Sequence, residues 1–423
     1  MNDVLIAGIV FFVTYALIVS ERVPRTLAAL LGGLTMVWLG ILEQHQAFEA
    51  IDFNVIFLLT GMMIIANVLR ETGVFQWVAV HAVTLAQGSP FRIMAILSVI
   101  TAISSALLDN VTVVILVGPI TLFIASNLGV SPLPYLIAEV LASNIGGAAT
   151  LIGDPPNILI GSAAKIDFAT FLWHMGPISF LILIAFIGLA RLLFYRDLKM
   201  PAGRATGLRE VDTSMLITQP TLLRRALIVL GGTIVGFLLH GALHLEPATI
   251  ALTGATILLI WTRQDLHHVL NEVEWPTLFF FIGLFMAVEG VVAVGLIDKV
   301  AEAAVRLVGN DVQIAAFIIL WLSALASGII DNIPYTATMI PFIQSLGRSM
   351  PIDPLWWALA LGADLGGNAT LVGASANVVI ASLAERSGYP MKFRDFLRYG
   401  VPTTIMAMVI STLYIWLRYL RPL

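Results

Sequence analysis

The feature that most constrains this chain is an apolar segment, broken near its middle, that occurs twice. The first copy, ASNIGGAATLIGDPPNILIGSAAK, runs from Ala142 to Lys165, and the second, GADLGGNATLVGASANVVIASLAE, from Gly362 to Glu385. Both follow the pattern G-G-x-x-T-x-x-G-x-x-x-N, with Gly146, Gly147, Thr150, Gly153 and Asn157 answered by Gly366, Gly367, Thr370, Gly373 and Asn377. Neither copy reads as one continuous helix. Glycines allow close backbone approach and unusual dihedrals, and Pro155 and Pro156 remove N–H donors. The surroundings are strongly apolar: 59% of the 423 residues are hydrophobic, 11% are charged, and the mean hydropathy is +0.96. That composition describes a polytopic membrane protein. In lipid, a helix break survives only where protein or trapped water covers the freed N–H and C=O groups. The half-helix ends therefore point into a protected polar pocket, where backbone groups with Asn and Thr side chains can hold a small solute.

Apolar runs long enough to cross a bilayer fall at about 4–20, 24–42, 53–70, 171–194, 224–242, 247–262, 276–292 and 399–418. Two further runs, 91–127 and 311–348, are each interrupted by an Asp-Asn pair, Asp109-Asn110 and Asp331-Asn332. We read these as re-entrant hairpins and each glycine-rich stretch as one crossing. The expected organisation is an N-terminal transmembrane repeat over 1–194, a cytoplasmic linker over 195–223 and a C-terminal repeat over 224–423. The halves match at an offset of 222 residues, as in Gly61 with Gly283, Gly73 with Gly295 and Pro119 with Pro341, slipping to 220 at the glycine-rich stretches. An odd number of crossings per half gives the two copies opposite orientation, an inverted-topology repeat of the kind that secondary transporters use. With the linker and its basic residues inside and the N-terminus outside, 16 of the 22 Lys and Arg residues fall on the inner side. Residues 1–20 lack a positive n-region and read as a retained first span.

The chain has no cysteine, which excludes disulfides and thiolate chemistry. None of the seven histidines reads as a metal ligand, and no cofactor is expected. No basic stripe suggests nucleic acid, and no G-x-x-x-x-G-K-[ST] loop is present, so ATP energy would have to come from a soluble ATPase partner. An intramembrane aspartyl protease needs one dedicated carboxyl pair, whereas here the polar features look duplicated. Trp38, Trp173, Trp261, Trp275, Trp356, Trp357 and Trp416 lie near predicted span ends and read as interface anchors. Glu139 and Glu289 read as structural or interfacial.

A carboxylate at mid-membrane costs about 2.5–3.5 kcal/mol, and protonation relieves that cost. Asp109, Asp331, Asp154 and Asp364 are therefore the candidate proton carriers. Capping of a half-helix is an equal reading for Asp109, Asp331 and Asp154. The expected solute-binding residues are Asn110, Thr112, Asn144, Thr150, Asn157, Asn332, Asn368, Thr370 and Asn377.

The stretches LDNVTVVILVGPITL, SNIGGAATLIGDPPNILIGSAA, IIDNIPYTATMIP and LGGNATLVGASANVVIASLAE resemble the ion transporter superfamily. Within it they are most similar to the branch of ArsB-type arsenite efflux permeases and the melanosomal P protein. The resemblance implies an all-α fold of two inverted halves, each with a re-entrant helical hairpin and a discontinuous helix meeting near the midplane. Sodium-coupled relatives carry Ser-Asn-Thr at the tips, where this chain has Asp109-Asn110-Val111-Thr112 and Asp331-Asn332-Ile333-Pro334. No arginine lies near either tip or broken helix along the sequence, which weighs against a multivalent anion. The resulting expectation is a multi-pass protein of the cell inner membrane that exports arsenite or antimonite in exchange for protons and confers arsenical resistance. The alternatives are a sodium/proton antiporter and a carrier of a small organic anion.

Overall fold

The structure, a computed structural model, describes residues 2–20, 22–87, 89–198 and 216–421. Among these the regular structure is helical, with no β-strand. The first half comprises α1 (Asn2–Ser20), α2 (Arg25–Trp38), α3 (Gln44–Glu49), α4 (Phe53–Arg70), α5 (Val74–Leu85), α6 (Pro90–Leu107), α7 (Asn110–Leu128), α8 (Leu133–Gly147), α9 (Pro155–Ala164) and α10 (Phe168–Leu193). The second comprises α11 (Pro220–Leu243), α12 (Pro247–Thr262), α13 (Leu266–Asn271), α14 (Trp275–Ala293), α15 (Leu296–Val308), α16 (Val312–Ser327), α17 (Asn332–Leu346), α18 (Asp353–Gly366), α19 (Ser375–Arg386) and α20 (Phe393–Ile415). Eight of these helices are long and apolar enough to span a bilayer.

The expected single spans fall on α1, α2, α4, α10, α11, α12, α14 and α20, of which α2 and α12 are shorter apolar helices outside that set of eight, while both arms of the first expected hairpin, α6 and α7, belong to it. Both Asp-Asn pairs sit where a hairpin turns, between α6 and α7 and between α16 and α17, and both glycine-rich stretches are broken helices, α8/α9 and α18/α19. Residues 199–215, most of the expected linker, lie outside the described residues, and α11 already begins at Pro220. The short helices α3, α5, α13 and α15 were not expected. Two of them start alike: Gly73 and Gly295 take φ values of +79° and +71° just before α5 and α15. A left-handed residue turns the chain out of the preceding helix, which only glycine does at little cost.

Packing joins the two halves. α2 lies along α14 and α4 along α12, so each half of the scaffold is paired with the other. Glycine sets the approach: a Cβ on Gly283 would lie 2.4 Å from the Leu30 nitrogen, and one on Gly61 would lie 2.6 Å from the Ala251 carbonyl carbon. α6 packs on α8 and α16 on α18, so the first arm of each hairpin holds the first part of its own broken helix. The second parts cross over, α9 against α17 and α19 against α7. The outer helices leave Phe12, Phe180, Ile228 and Val409 exposed, as lipid-facing surfaces require.

One expectation fails here. Trp356 and Trp357 are buried rather than interfacial, because α18 lies inside the bundle; Trp357 stacks on His174 and meets Phe171 at a tilt of 59°. Of the two readings of Glu139, structural or interfacial, its position fits the structural one: it is buried mid-way along α8, where Thr121 donates to its Oε1 at 2.5 Å.

Candidate functional site

The two hairpin tips and the two breaks converge. Asp109 and Asp331 occupy the N-cap positions of α7 and α17. The Asp109 carboxylate accepts from the Thr112 amide at 2.9 Å and from the Thr112 hydroxyl, and Asp331 accepts from the Ile333 amide at 3.0 Å. Each cap stabilises the exposed N–H groups of a half-helix that begins inside the bundle. It also points the next residue, Asn110 or Asn332, inward.

Asp154 stands at the N-cap position of α9 but makes no cap hydrogen bond. Its carboxylate instead accepts from Asn110 Nδ2 at 2.7 Å and from Asn332 Nδ2 at 3.3 Å. One carboxylate thus receives an amide from the tip of each half. Asn110 also donates to Asn144 Oδ1 at 3.2 Å, and Asn144 Nδ2 reaches Asn368 Oδ1 at 2.9 Å and Asn377 Oδ1 at 3.0 Å. The breaks are internally tied in the same way in both halves. Asn157 Nδ2 donates to the carbonyls of Gly147 and Thr150 at 3.2 and 3.1 Å. Asn377 Nδ2 donates to those of Gly367 and Thr370 at 2.9 and 2.8 Å. Thr150 and Thr370 each donate at 2.6 Å to a hairpin carbonyl, Ala106 and Gly328. Asn368 donates to the Leu141 carbonyl at 3.3 Å.

The expected site residues therefore separate into two sets. Asp109, Asn110, Asp154 and Asn332 line a cavity of about 20 Å³ together with Arg25, Glu274 and Ser375. Such a space holds a water-sized occupant and nothing larger. Thr150, Asn157, Thr370 and Asn377 hold the broken backbone, and Asn144, Asn368 and Asp364 lie buried behind it. Beside the small cavity is a vestibule of about 400 Å³, which shares Arg25, Val111, Glu274 and Ser375 with it and adds Asp331.

Arg25 corrects the expectation that no arginine stands near the tips. Its Nη1 lies 3.2 Å from Asp331 Oδ2 and also donates to Ser375, which itself donates to Asp331 at 2.6 Å. Arg25 starts α2, remote from the tips in sequence, and reaches them only through the α2–α14 packing. Ser375 was missed for a similar reason, since Pro155 stands at its place in the repeat, whereas Glu274 answers Asp52 at the 222-residue offset, a duplicated carboxylate that the sequence reading passed over. Around the cavity Asp109, Asp154, Glu274 and the neighbouring Asp331 face one guanidinium, so the site is acidic. Among the described residues no group of three His, Cys, Asp or Glu side chains converges to hold a resident metal.

Comparison with known proteins places this architecture. The family described as CitMHS, citrate transporter, matches residues 15–362. A Mycobacterium tuberculosis protein described as an uncharacterized transporter is 44% identical and covers 98% of each chain. The 46 kDa membrane protein of Mycobacterium leprae is 44% identical over 98% of this chain and 99% of its own. The human P protein is 36% identical over 98% of this chain and 60% of its own. Among solved structures, the Alcanivorax borkumensis YdaH transporter, whose topology is described as unusual, matches with a TM-score of 0.59. It covers 100% of this chain and 99% of its own at 15% identity, a likeness of fold.

Proposed function

The chain belongs to the citrate transporter family, CitMHS, and from that membership we propose a proton-coupled secondary transporter that exchanges protons for a small monovalent cation of the sodium class. The observation that carries this reading is Asp154, a buried carboxylate held by Asn110 and Asn332 from the two halves of the chain. A cation bound at Asp154 would sit between the halves, where a rocking motion exposes it to either side in turn. Inverted repeats supply that motion in this reading, and the count of basic residues turns the vestibule toward the cytoplasm. The acidic surroundings attract a cation and repel a multivalent anion, so citrate suits this site poorly despite the family's description.

Arsenite or antimonite export is the second reading. The vestibule has room for an uncharged trihydroxide, and Asp331, Glu274 and Ser375 offer oxygen acceptors to its three hydroxyls. Everted vesicles carrying this chain, acid inside, test the choice. Sodium should dissipate the proton gradient, and Asp154→Asn should abolish the effect. Proton-driven uptake of arsenite without any sodium effect would replace the first reading with the second, and citrate uptake would overturn both.

A further inference from the structure

Asp364 has both carboxyl oxygens fully buried and without a hydrogen-bond partner, and Asn157 Oδ1 is in the same condition. The side chains are neighbours. The internal repeat explains how they meet. At the offset of 220 residues Asp364 answers Asn144, and Asn157 answers Asn377. In one half-to-half contact, Asn144 Nδ2 donates to Asn377 Oδ1 at 3.0 Å. Asn157 spends its Nδ2 on Gly147 and Thr150 as Asn377 spends its own on Gly367 and Thr370, so Asn157 Oδ1 is left as a buried acceptor without a donor. An ionised carboxylate offers no donor to it, whereas a protonated one offers an O–H. The repeat is broken a second time at the same place, because Asp154 answers Ala374. Both buried carboxyl groups of the inner site are thus positions where the halves differ.

We infer that Asp364 holds a proton and donates it to Asn157 Oδ1, while Asp154 is the ionised carboxylate that receives the cation. This division of labour rests on the proton-coupled reading above. Asp154, at the start of α9, which packs against α18, is the carboxyl group within electrostatic reach of Asp364. Of the other titratable groups on helices packed against α18, Glu139 on α8 is bonded to Thr121, Tyr335 on α17 to Ser323, His174 on α10 to Tyr419 and Tyr399 on α20 to Asp197, while the buried Tyr135 hydroxyl on α8 has no hydrogen-bond partner. When a cation enters beside Asp154, the Asp364 O–H bond breaks and the proton leaves to water. One positive charge enters as one departs, and the buried charge is unchanged.

Infrared difference spectroscopy on the purified full chain tests this, with sodium as the probe. The sodium-free protein should show a protonated-carboxyl band that is absent in Asp364→Asn, a change that restores the amide found at Asn144. Asn157→Leu, which removes the acceptor, should shift the same band to higher frequency. Fluorescence-detected gel filtration identifies any variant that fails to fold, and either variant alone suffices. A band unchanged in Asp364→Asn, or unshifted in Asn157→Leu, would overturn the assignment. Because the band is read without sodium, its outcome is separate from whether sodium is the exchanged ion. Adding sodium to the wild type should remove the band and release about one proton per chain; proton release that persists in Asp364→Asn would likewise overturn the assignment.

Discussion

Asn332 and Asp154, 178 residues apart, meet at 3.3 Å, and with the Asn110–Asp154 bond at 2.7 Å they close a bridge between the two hairpin tips. The two amides are not equivalent. Asn110 is the nearer and also steers Asn144. Asn110→Ala should therefore weaken sodium-driven proton exchange more than Asn332→Ala. Each loss leaves a buried acceptor short of a donor, at about 1–3 kcal/mol. Transport rates on both variants at equal expression check the order.

The glycines of the breaks have no room for a side chain. A Cβ on Gly146 would lie 2.1 Å from the Ala102 carbonyl oxygen, and one on Gly366 would lie 2.5 Å from the Ala324 Cα. These obstacles are backbone, so overpacking should cost at least about 1–3 kcal/mol. Gly146→Ala and Gly366→Ala should both lower the thermal midpoint in detergent. Gly231→Ala meets nothing within 4 Å of the new Cβ in α11 and should hold or raise it.

Arg25 is the one guanidinium lining the acidic cavity. Arg25→Gln removes a positive charge beside the cation path and leaves Asp331 with Ser375 and the Ile333 amide. Sodium affinity should rise several-fold, while the exchange rate falls because release slows. An unchanged affinity, read from the sodium dependence of exchange, would place Arg25 outside the field of the site.

The membrane potential separates the two functional readings. One-for-one exchange of sodium with a proton moves no net charge. An uncharged trihydroxide exchanged for one proton moves one, worth about 2.3 kcal/mol per 100 mV. Clamping proteoliposomes with potassium and valinomycin should leave the exchange gradient unaffected if a monovalent cation is carried.

Much of this site was legible in the sequence because it is written twice. Asp109-Asn110 recurs as Asp331-Asn332, and the two broken helices share their glycines, threonines and asparagines. Repetition makes a short polar motif visible against an apolar background. What stood once stayed hidden: Arg25 and Ser375 join the site through packing between distant helices, and so does Glu274, whose counterpart Asp52 went unread. The expectation of full duplication also hid a signal. Asp154 against Ala374 and Asn144 against Asp364 are differences readable from the offset alone. Trp356 and Trp357 were misread because proximity to a span end does not say whether a helix faces lipid or the bundle interior.

The central claim is that a cation bound at Asp154 and a proton held in the same buried acidic site exclude each other. Its most direct test is the sodium dependence of exchange in proteoliposomes of the purified chain across a pH series. Competition predicts that the sodium concentration for half-maximal exchange rises about tenfold for each unit of falling pH where the proton dominates, and that Asp154→Asn abolishes exchange. A half-maximal concentration independent of pH, or sodium exchange that survives in Asp154→Asn, would contradict it.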